Sequence, residues 1–262
     1  MTASIGISAP TPARASGGPA LIAVAHGSRD PRSAATMAAV VADIADARPG
    51  VDVRPAFLDL SAPSVDQVID AVAAQGHTRA IVAPLLLGSA FHARVDLPGL
   101  LEAARARHPR LRLTQADVLG PDARLIGALR ERVREAHAAS DITEGPRVGI
   151  AVAAVGSSSV TANTRTAEVA RRLAAATGLR TEICFATTEP TLPEAVSRLR
   201  ARGSEHILVA TWFLAPGLLT DRLAAAAPDL VHADVIGPDP ALTDIVWDRY
   251  DAARADMLAL TA

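Results

Sequence analysis

Asp117-Val118-Leu119-Gly120-Pro121-Asp122 returns as Asp234-Val235-Ile236-Gly237-Pro238-Asp239. Each copy closes an apolar run and opens a helical pattern, so the hexapeptide marks the same point in two equivalent halves. Working outward, Phe57 pairs with Phe185, each at the end of a second apolar run. Ala80-Ile81-Val82-Ala83 pairs with Ile207-Leu208-Val209-Ala210. An internal repeat of this size says more about the fold than any single element. The competing explanation is two unrelated α/β units that look alike because all βαβ units do.

Within each half, apolar runs alternate with helical periodicity. Strands are expected at about 21–25, 51–58, 79–87 and 111–118, and helices at about 33–47, 64–75, 96–107 and 121–136. The second half repeats the series, with strands near 147–154, 179–186, 205–214 and 230–236. Its helices fall near 163–177, 191–202, 217–226 and 238–256. Ser64 is a plausible N-cap, with Gly76 just past the end of its helix. Such alternation means an α/β fold with mostly parallel sheets, and strands buried on both faces should be continuously apolar, as these are. The expected organisation is a disordered tail over 1–19, a first lobe over 20–137, a linker over 138–146 and a second lobe over 147–262. Each lobe should hold a four-stranded sheet in the flavodoxin-like order 2-1-3-4.

Composition narrows the function. Of 262 residues, 50% are hydrophobic and only 3% aromatic, so the core must be aliphatic. The chain has no lysine; all 26 basic residues are arginine, and the net charge of −2 with no basic block argues against nucleic acid as a partner. Cys184 is the single cysteine, which excludes an intrachain disulfide or a Cys-based metal site and fits a cytoplasmic, reducing compartment. No apolar run reaches the roughly 20 residues of a membrane span. Residues 1–19 lack the basic start and long apolar core of a secretory signal.

In open parallel sheets, ligands bind beyond the carboxyl ends of the strands, where strand order reverses. Three chemistry-bearing residues fall there in the first half. His26 follows strand 1, Asp59 follows strand 2, and His92 lies in the loop after strand 3. Two imidazoles and a carboxylate suit Fe²⁺, Co²⁺ or Ni²⁺ with open coordination positions, and suit proton abstraction near neutral pH. Plainer roles stand beside these: a hydrogen-bonding residue for His26, a solvated loop residue for His92, a helix cap for Asp59. The repeat acts as an internal control, because Val155, Thr187 and Leu219 fall at or near the matching positions. The other five histidines are expected at the surface. Gly27-Ser28 and Gly156-Ser157-Ser158-Ser159 can offer backbone N–H groups to an anion. Arg29, Arg32 and Arg94 are available for substrate carboxylates. No dinucleotide, P-loop or nucleophile-elbow motif is present.

Ala25-His26-Gly27-Ser28-Arg29, Phe57-Leu58-Asp59-Leu60, Pro84-Leu85-Leu86-Leu87, Phe91-His92 and Asp96-Leu97-Pro98 together resemble the sirohydrochlorin chelatases of the CbiX/SirB type, which are class II and ATP-independent. The resemblance spans about residues 20–255. It implies two similar lobes with a cleft between them, and insertion of Fe²⁺ (siroheme) or Co²⁺ (cobalamin) into a modified tetrapyrrole rimmed by carboxylates. It implies His26 and His92 as metal ligands and, with Asp59, as catalytic proton acceptors. Ser28, Arg29, Ser89 and Arg94 are then expected to bind substrate. The family often carries Glu where this chain has Asp59, one methylene shorter. No permanently bound cofactor is expected, since the divalent metal is itself a substrate. The expected assembly is a monomer or homodimer. Fe²⁺ is preferred and Co²⁺ is the alternative; the reading from another class is a non-catalytic metal or tetrapyrrole carrier. A hydrolase using Ser28 with His26 fails on geometry, since adjacent turn residues cannot form a triad.

Overall fold

The computed structural model describes residues 18–88, 95–142, 145 and 147–259. It contains two four-stranded parallel sheets. The first is built from β1 (Ala20–Ala25), β2 (Val53–Phe57), β3 (Arg79–Pro84) and β4 (Arg112–Gln115), in the order β2-β1-β3-β4. The second repeats it with β5 (Val148–Ala154), β6 (Arg180–Phe185), β7 (His206–Thr211) and β8 (Val231–His232), in the order β6-β5-β7-β8. The central strands β1 and β5 are buried along their whole length, as their unbroken apolar runs require. Pro55 is tolerated inside β2 because that strand is an edge, where a missing N–H costs no ladder bond.

Among the described residues, eight helices follow the strands: α1 (Pro31–Ala47), α2 (Val65–Ala74), α3 (Leu97–Arg107), α4 (Ala123–Ala138), α5 (Val160–Thr177), α6 (Leu192–Ala201), α7 (Leu218–Ala226) and α8 (Pro240–Ala259). Caps set their starts. Ser64 and Gln67 form a capping box at α2. Asp30 caps α1 through the Arg32 N–H with Pro31 at N1, so that helix starts two residues before the expected Ser33. Ser159 caps α5 in the same way and starts it at Val160. The fourth strands are shorter than their apolar runs, ending at Gln115 and His232, because the chain then leaves the sheet. The residues beyond still follow the neighbouring strand's loop, Leu119 N–H to Leu86 C=O (3.0 Å) and Ile236 N–H to Phe213 C=O (2.9 Å). Of the histidines expected at the surface, His77 is covered instead, 8% exposed and 3.0 Å from Asp52, while His108 is bonded 2.6 Å from Asp70 and His232 3.0 Å from the Ala227 carbonyl.

The stack has five layers. The outer helices α2 and α3 cover one face of the first sheet, and α6 and α7 cover one face of the second. Between the sheets lies a helix layer of α1, α4, α5 and α8, with one continuous core running through both lobes. Within that layer the last helix of each half is exchanged. Helix α4 packs on β7 and β8 of the second sheet, while α8 packs on β3 and β4 of the first. The repeated hexapeptide is the point of departure. Asp122 caps α4 through the Arg124 N–H (2.9 Å), and Asp239 accepts from the Ala241 N–H (2.9 Å) at α8.

Helix α8 is pinned to the first lobe by two aromatic residues. The Trp247 indole donates to the Ile44 carbonyl (3.2 Å), one of the carbonyls that the end of α1 leaves without a helical partner. The Tyr250 hydroxyl donates to the Pro19 carbonyl (2.7 Å), just before β1. The two rings meet edge to face at 5.2 Å, and the Arg48 guanidinium lies 4.4 Å from the Trp247 ring centre. Trp247→Ala should therefore cost about 3–5 kcal/mol, read from urea denaturation. Asp251, the ion partner of Arg48 at 2.7 Å, is half exposed and contributes under about 1 kcal/mol. The hydrogen bond from Arg48 holds its carboxyl below the usual 3.8. A depressed carboxyl stabilises the fold above its unfolded pKa, and that contribution is lost as pH falls through the lower folded value. Asp251→Asn should thus flatten the melting temperature's pH dependence below about pH 4 and change it little at pH 7.

Candidate active site between the lobes

The carboxyl ends of both sheets open onto one cleft of about 990 Å³. On its first-lobe wall, β1 ends at Ala25 and the chain turns through His26-Gly27-Ser28-Arg29-Asp30 into α1. The turn is closed by hydrogen bonds. The Asp59 N–H donates to the His26 carbonyl (2.9 Å). The Ser28 N–H donates to the Ser61 hydroxyl (3.1 Å), which in turn donates to the Ser28 carbonyl (2.9 Å). The Ser28 hydroxyl accepts from the Asp30 N–H (3.0 Å). Gly27 sits at φ +95°, and a Cβ there would lie 1.7 Å from the Asp59 carbonyl oxygen. With its backbone tied on both sides, His26 stands exposed at the sheet edge and lines the cleft, as do Ser28 and Arg29.

The second lobe builds the same turn from different side chains. Ala154 ends β5, Gly156 has φ +91°, and the Thr187 N–H donates to the Val155 carbonyl (3.1 Å). The amide of Asn163 on α5 takes the part of Ser61: its Oδ1 accepts from the Ser157 N–H (2.9 Å) and its Nδ2 donates to the Ser157 carbonyl (2.7 Å). Val155 and Thr187 are thus the structural counterparts of His26 and Asp59. The loop carrying His92 has no such counterpart. Residues 85–96 join β3 to α3, while residues 212–217 join β7 to α7, a connection half as long.

Asp59 stands beside His26 at the end of β2, exposed, with Oδ1 accepting from the Leu60 N–H (2.7 Å); its neighbour Leu60 reaches the cleft and Asp59 does not. Leu60 has φ +60°, a conformation costing a leucine roughly 1–2 kcal/mol. Ser61 N–H to Asp59 C=O (2.7 Å) closes that tight turn and holds Leu60 against the cleft, 48% exposed. His92, Ser89 and Arg94 lie outside the described residues. Among the described residues, no three His, Cys, Asp or Glu side chains converge to hold a metal. Arg32 turns away from the cleft. Its guanidinium joins Asp30 on the first lobe to Asp221 on the second (2.5 and 2.6 Å), and its hydrogen bonds hold the Asp30 carboxyl below the usual range.

Ser61, Asn163, Leu60 and Val155 are site residues that sequence reasoning missed. Only Val155 carried a signal there, as the repeat partner of His26. Gly27→Ala should abolish the site. The added Cβ demands movement of the Asp59 backbone at a left-handed position, a loss of several kcal/mol. A lowered melting temperature checks it, and Ser28→Ala, which removes only one local hydrogen bond, should cost about 1 kcal/mol.

Comparison with known proteins agrees with this architecture. The family model described as CbiX matches residues 20–136 and 149–253, one match to each half. A sirohydrochlorin ferrochelatase of Priestia megaterium is 26% identical over 87% of both chains. A sirohydrochlorin cobaltochelatase of the same organism is 27% identical over 76% of this chain and 65% of that one. SirB from Bacillus subtilis, solved with Fe³⁺, superposes with a TM-score of 0.76 at 22% identity, covering 92% of this chain and 98% of that one, and so shares the fold. With both halves matched in order, the chain belongs to the CbiX family.

Proposed function

We propose that this chain is a sirohydrochlorin chelatase, a lyase that inserts Fe²⁺ into the macrocycle without ATP. The observation that carries this is the character of the cleft. It is at the upper end of the roughly 300–1,000 Å³ of ligand pockets, and it exposes Leu60, Val155 and Leu218, which the fold has no reason of its own to leave in water. Among the described residues, no carboxylate lines it. A flat apolar macrocycle bearing negative charge at its rim fits such a surface.

His26 and His92 are then the metal ligands, His26 on the turn at the carboxyl end of β1 and His92 from the segment between β3 and α3. Neutral imidazole is a competent donor to both Fe²⁺ and Co²⁺, so the ligand type does not select between them. As the metal moves from imidazole to pyrrole nitrogens, the two pyrrole N–H protons leave the macrocycle and pass to a histidine; Asp59, outside the cleft lining, would take a proton only by relay through water, on the oxygen not used by Leu60. Ser28 and Arg29 line the first-lobe wall and would meet the substrate there, and Ser89 and Arg94 complete the proposed substrate-binding set. The protein contributes orientation and exclusion of water. The cleft is lined from both lobes of one chain, which supports a monomer, and the divalent metal enters it as a substrate. No described helix is long and apolar enough to cross a membrane, and we place the enzyme in the cytoplasm.

Cobalt is the second reading, favoured by near-equal identity to a ferrochelatase and a cobaltochelatase. Sirohydrochlorin absorbance followed with Fe²⁺ and with Co²⁺ distinguishes the two. Many turnovers under excess substrate are expected; one equivalent of product followed by arrest would mark a carrier instead. His26→Ala and His92→Ala should each slow metalation by about 100-fold or more, in the range of a lost catalytic imidazole. Wild-type rates in both variants would overturn the assignment.

A further inference from the structure

The loop after β2 in the first lobe is one residue longer than its counterpart after β6. Both begin alike: Leu58 and Asp59 donate their N–H groups to the Ala25 and His26 carbonyls, as Ala186 and Thr187 do to Ala154 and Val155. Both end alike, with the Phe57 N–H on the Pro63 carbonyl (3.0 Å) and the Phe185 N–H on the Pro190 carbonyl (2.8 Å). Between these fixed points Leu60, Ser61 and Ala62 stand against Thr188 and Glu189. The longer loop takes up its extra residue in the tight turn at Leu60, the one non-glycine at positive φ among the described residues. A left-handed leucine persists only where its surroundings over-determine it. Here the Leu60 N–H is bound to Asp59 Oδ1, and the Ser61 hydroxyl is tied to both the N–H and the carbonyl of Ser28. Burial offsets little of this strain: Leu58 packs on the outer core of the first lobe, whereas Leu60 faces the cleft and is 48% exposed.

We infer that Leu60 is a substrate-positioning residue, whose strained turn seats the face of the tetrapyrrole beside His26. The inference rests on the chelatase reading above. A metal held on an imidazole must meet four pyrrole nitrogens, so a ring free to slide along an apolar wall would rarely be aligned. Leu60 gives the ring a fixed contact. The Asp59 N–H bond to the His26 carbonyl (2.9 Å) and the paired bonds between Ser61 and Ser28 join the Leu60 turn to the His26 turn. The two backbones are pressed together, since a Cβ at Gly27 would lie 1.7 Å from the Asp59 carbonyl oxygen and 3.4 Å from the Ser61 nitrogen. Imidazole and apolar contact are therefore parts of one rigid unit. An unstrained backbone at residue 60 would direct the Cβ elsewhere. The second lobe, with Val155 in the place of His26, lacks both the extra residue and the left-handed turn.

Two substitutions in the full chain separate strain from contact. Leu60→Ala removes the apolar side chain and keeps a Cβ at positive φ, whereas Leu60→Gly removes both. Leu60→Gly should therefore melt about 2–4 °C above Leu60→Ala. In fluorescence titration with sirohydrochlorin, with EDTA present to prevent metalation, both variants should bind about tenfold more weakly than wild type, the loss expected for one apolar side chain. In metalation both should raise KM for sirohydrochlorin and leave KM for the metal unchanged, a split that general loosening of the fold would not produce. Leu60→Met keeps an apolar side chain of similar reach and should recover much of the affinity. If wild type binds and metalates while Leu60→Ala and Leu60→Gly match its affinity and KM, the inference fails and the chelatase reading stands. Equal melting temperatures for the two variants would also overturn it, since the turn would then hold no strain. If wild type neither binds nor metalates sirohydrochlorin, both readings fall together.

Discussion

The exchange of α4 and α8 between the lobes is the constraint on which the cleft depends. Two βαβ sheets joined by a linker alone would share an interface of the transient kind and move against each other. Here each sheet is covered on its inner face by a helix from the other half, so parting the lobes would expose the central core. The ties are specific as well as apolar. Trp247 and Tyr250 fix α8 to the main chain of the first lobe, Arg249 donates to the Val118 carbonyl (3.2 Å), and Arg132 on α4 donates to the Ile236 carbonyl (3.3 Å) of the second. A site shared between two walls needs their separation held to a fraction of an ångström, and buried packing provides that where a flexible linker does not.

On this rigid base the two halves show how little of an active site resides in the backbone. The turns after β1 and β5 agree in the left-handed glycine, the hydroxyl accepting from the N–H two residues on, and the bond to the neighbouring strand's loop. They differ in what fastens them, a serine from the next loop in one and an asparagine from the following helix in the other. The backbone demand is common to both, and two unrelated side chains satisfy it. What remains free to vary is the residue at the strand end. It is histidine in one lobe and valine in the other, so one turn places an imidazole and the other a plain apolar surface.

Much of the fold was legible because its signals are local. Continuous apolar runs mark strands buried on both faces, Ser64 announces a helix start, and the repeat implies that one half's strand order holds for the other. The helix exchange was not legible. The apolar stripe of α4 (Leu125, Leu129, Val133) specifies that the helix packs, and any aliphatic sheet face satisfies it. The twin hexapeptide was visible as a repeat, yet its role as the point where the chain crosses between lobes exists only in three dimensions. His26 was legible by its place after an apolar run. Ser61 was not, because a serine that bonds a distant main chain looks like any loop serine. Asn163 was hidden for a related reason: comparing the halves for losses finds the missing histidine, whereas a gained amide on a helix reads as solvation.

That asymmetry in what repeats reveal bears on how the cleft works. Metal insertion needs a macrocycle held firmly enough to be aligned with the metal and loosely enough to leave once metalated. Apolar contact at Leu60, Val155 and Leu218 cannot separate the two states, since metalation leaves the ring's faces nearly unchanged. Carboxylate recognition at the rim cannot separate them either, because it lies away from the reacting nitrogens. Under the proposed assignment, the imidazoles would distinguish before from after, by binding the metal until the pyrroles take it. Metal affinity at one wall and macrocycle contact across the cleft would then act on different parts of the reaction. A duplicated fold allows each wall to change its side chains without disturbing the other, while the shared helix layer keeps the two facing.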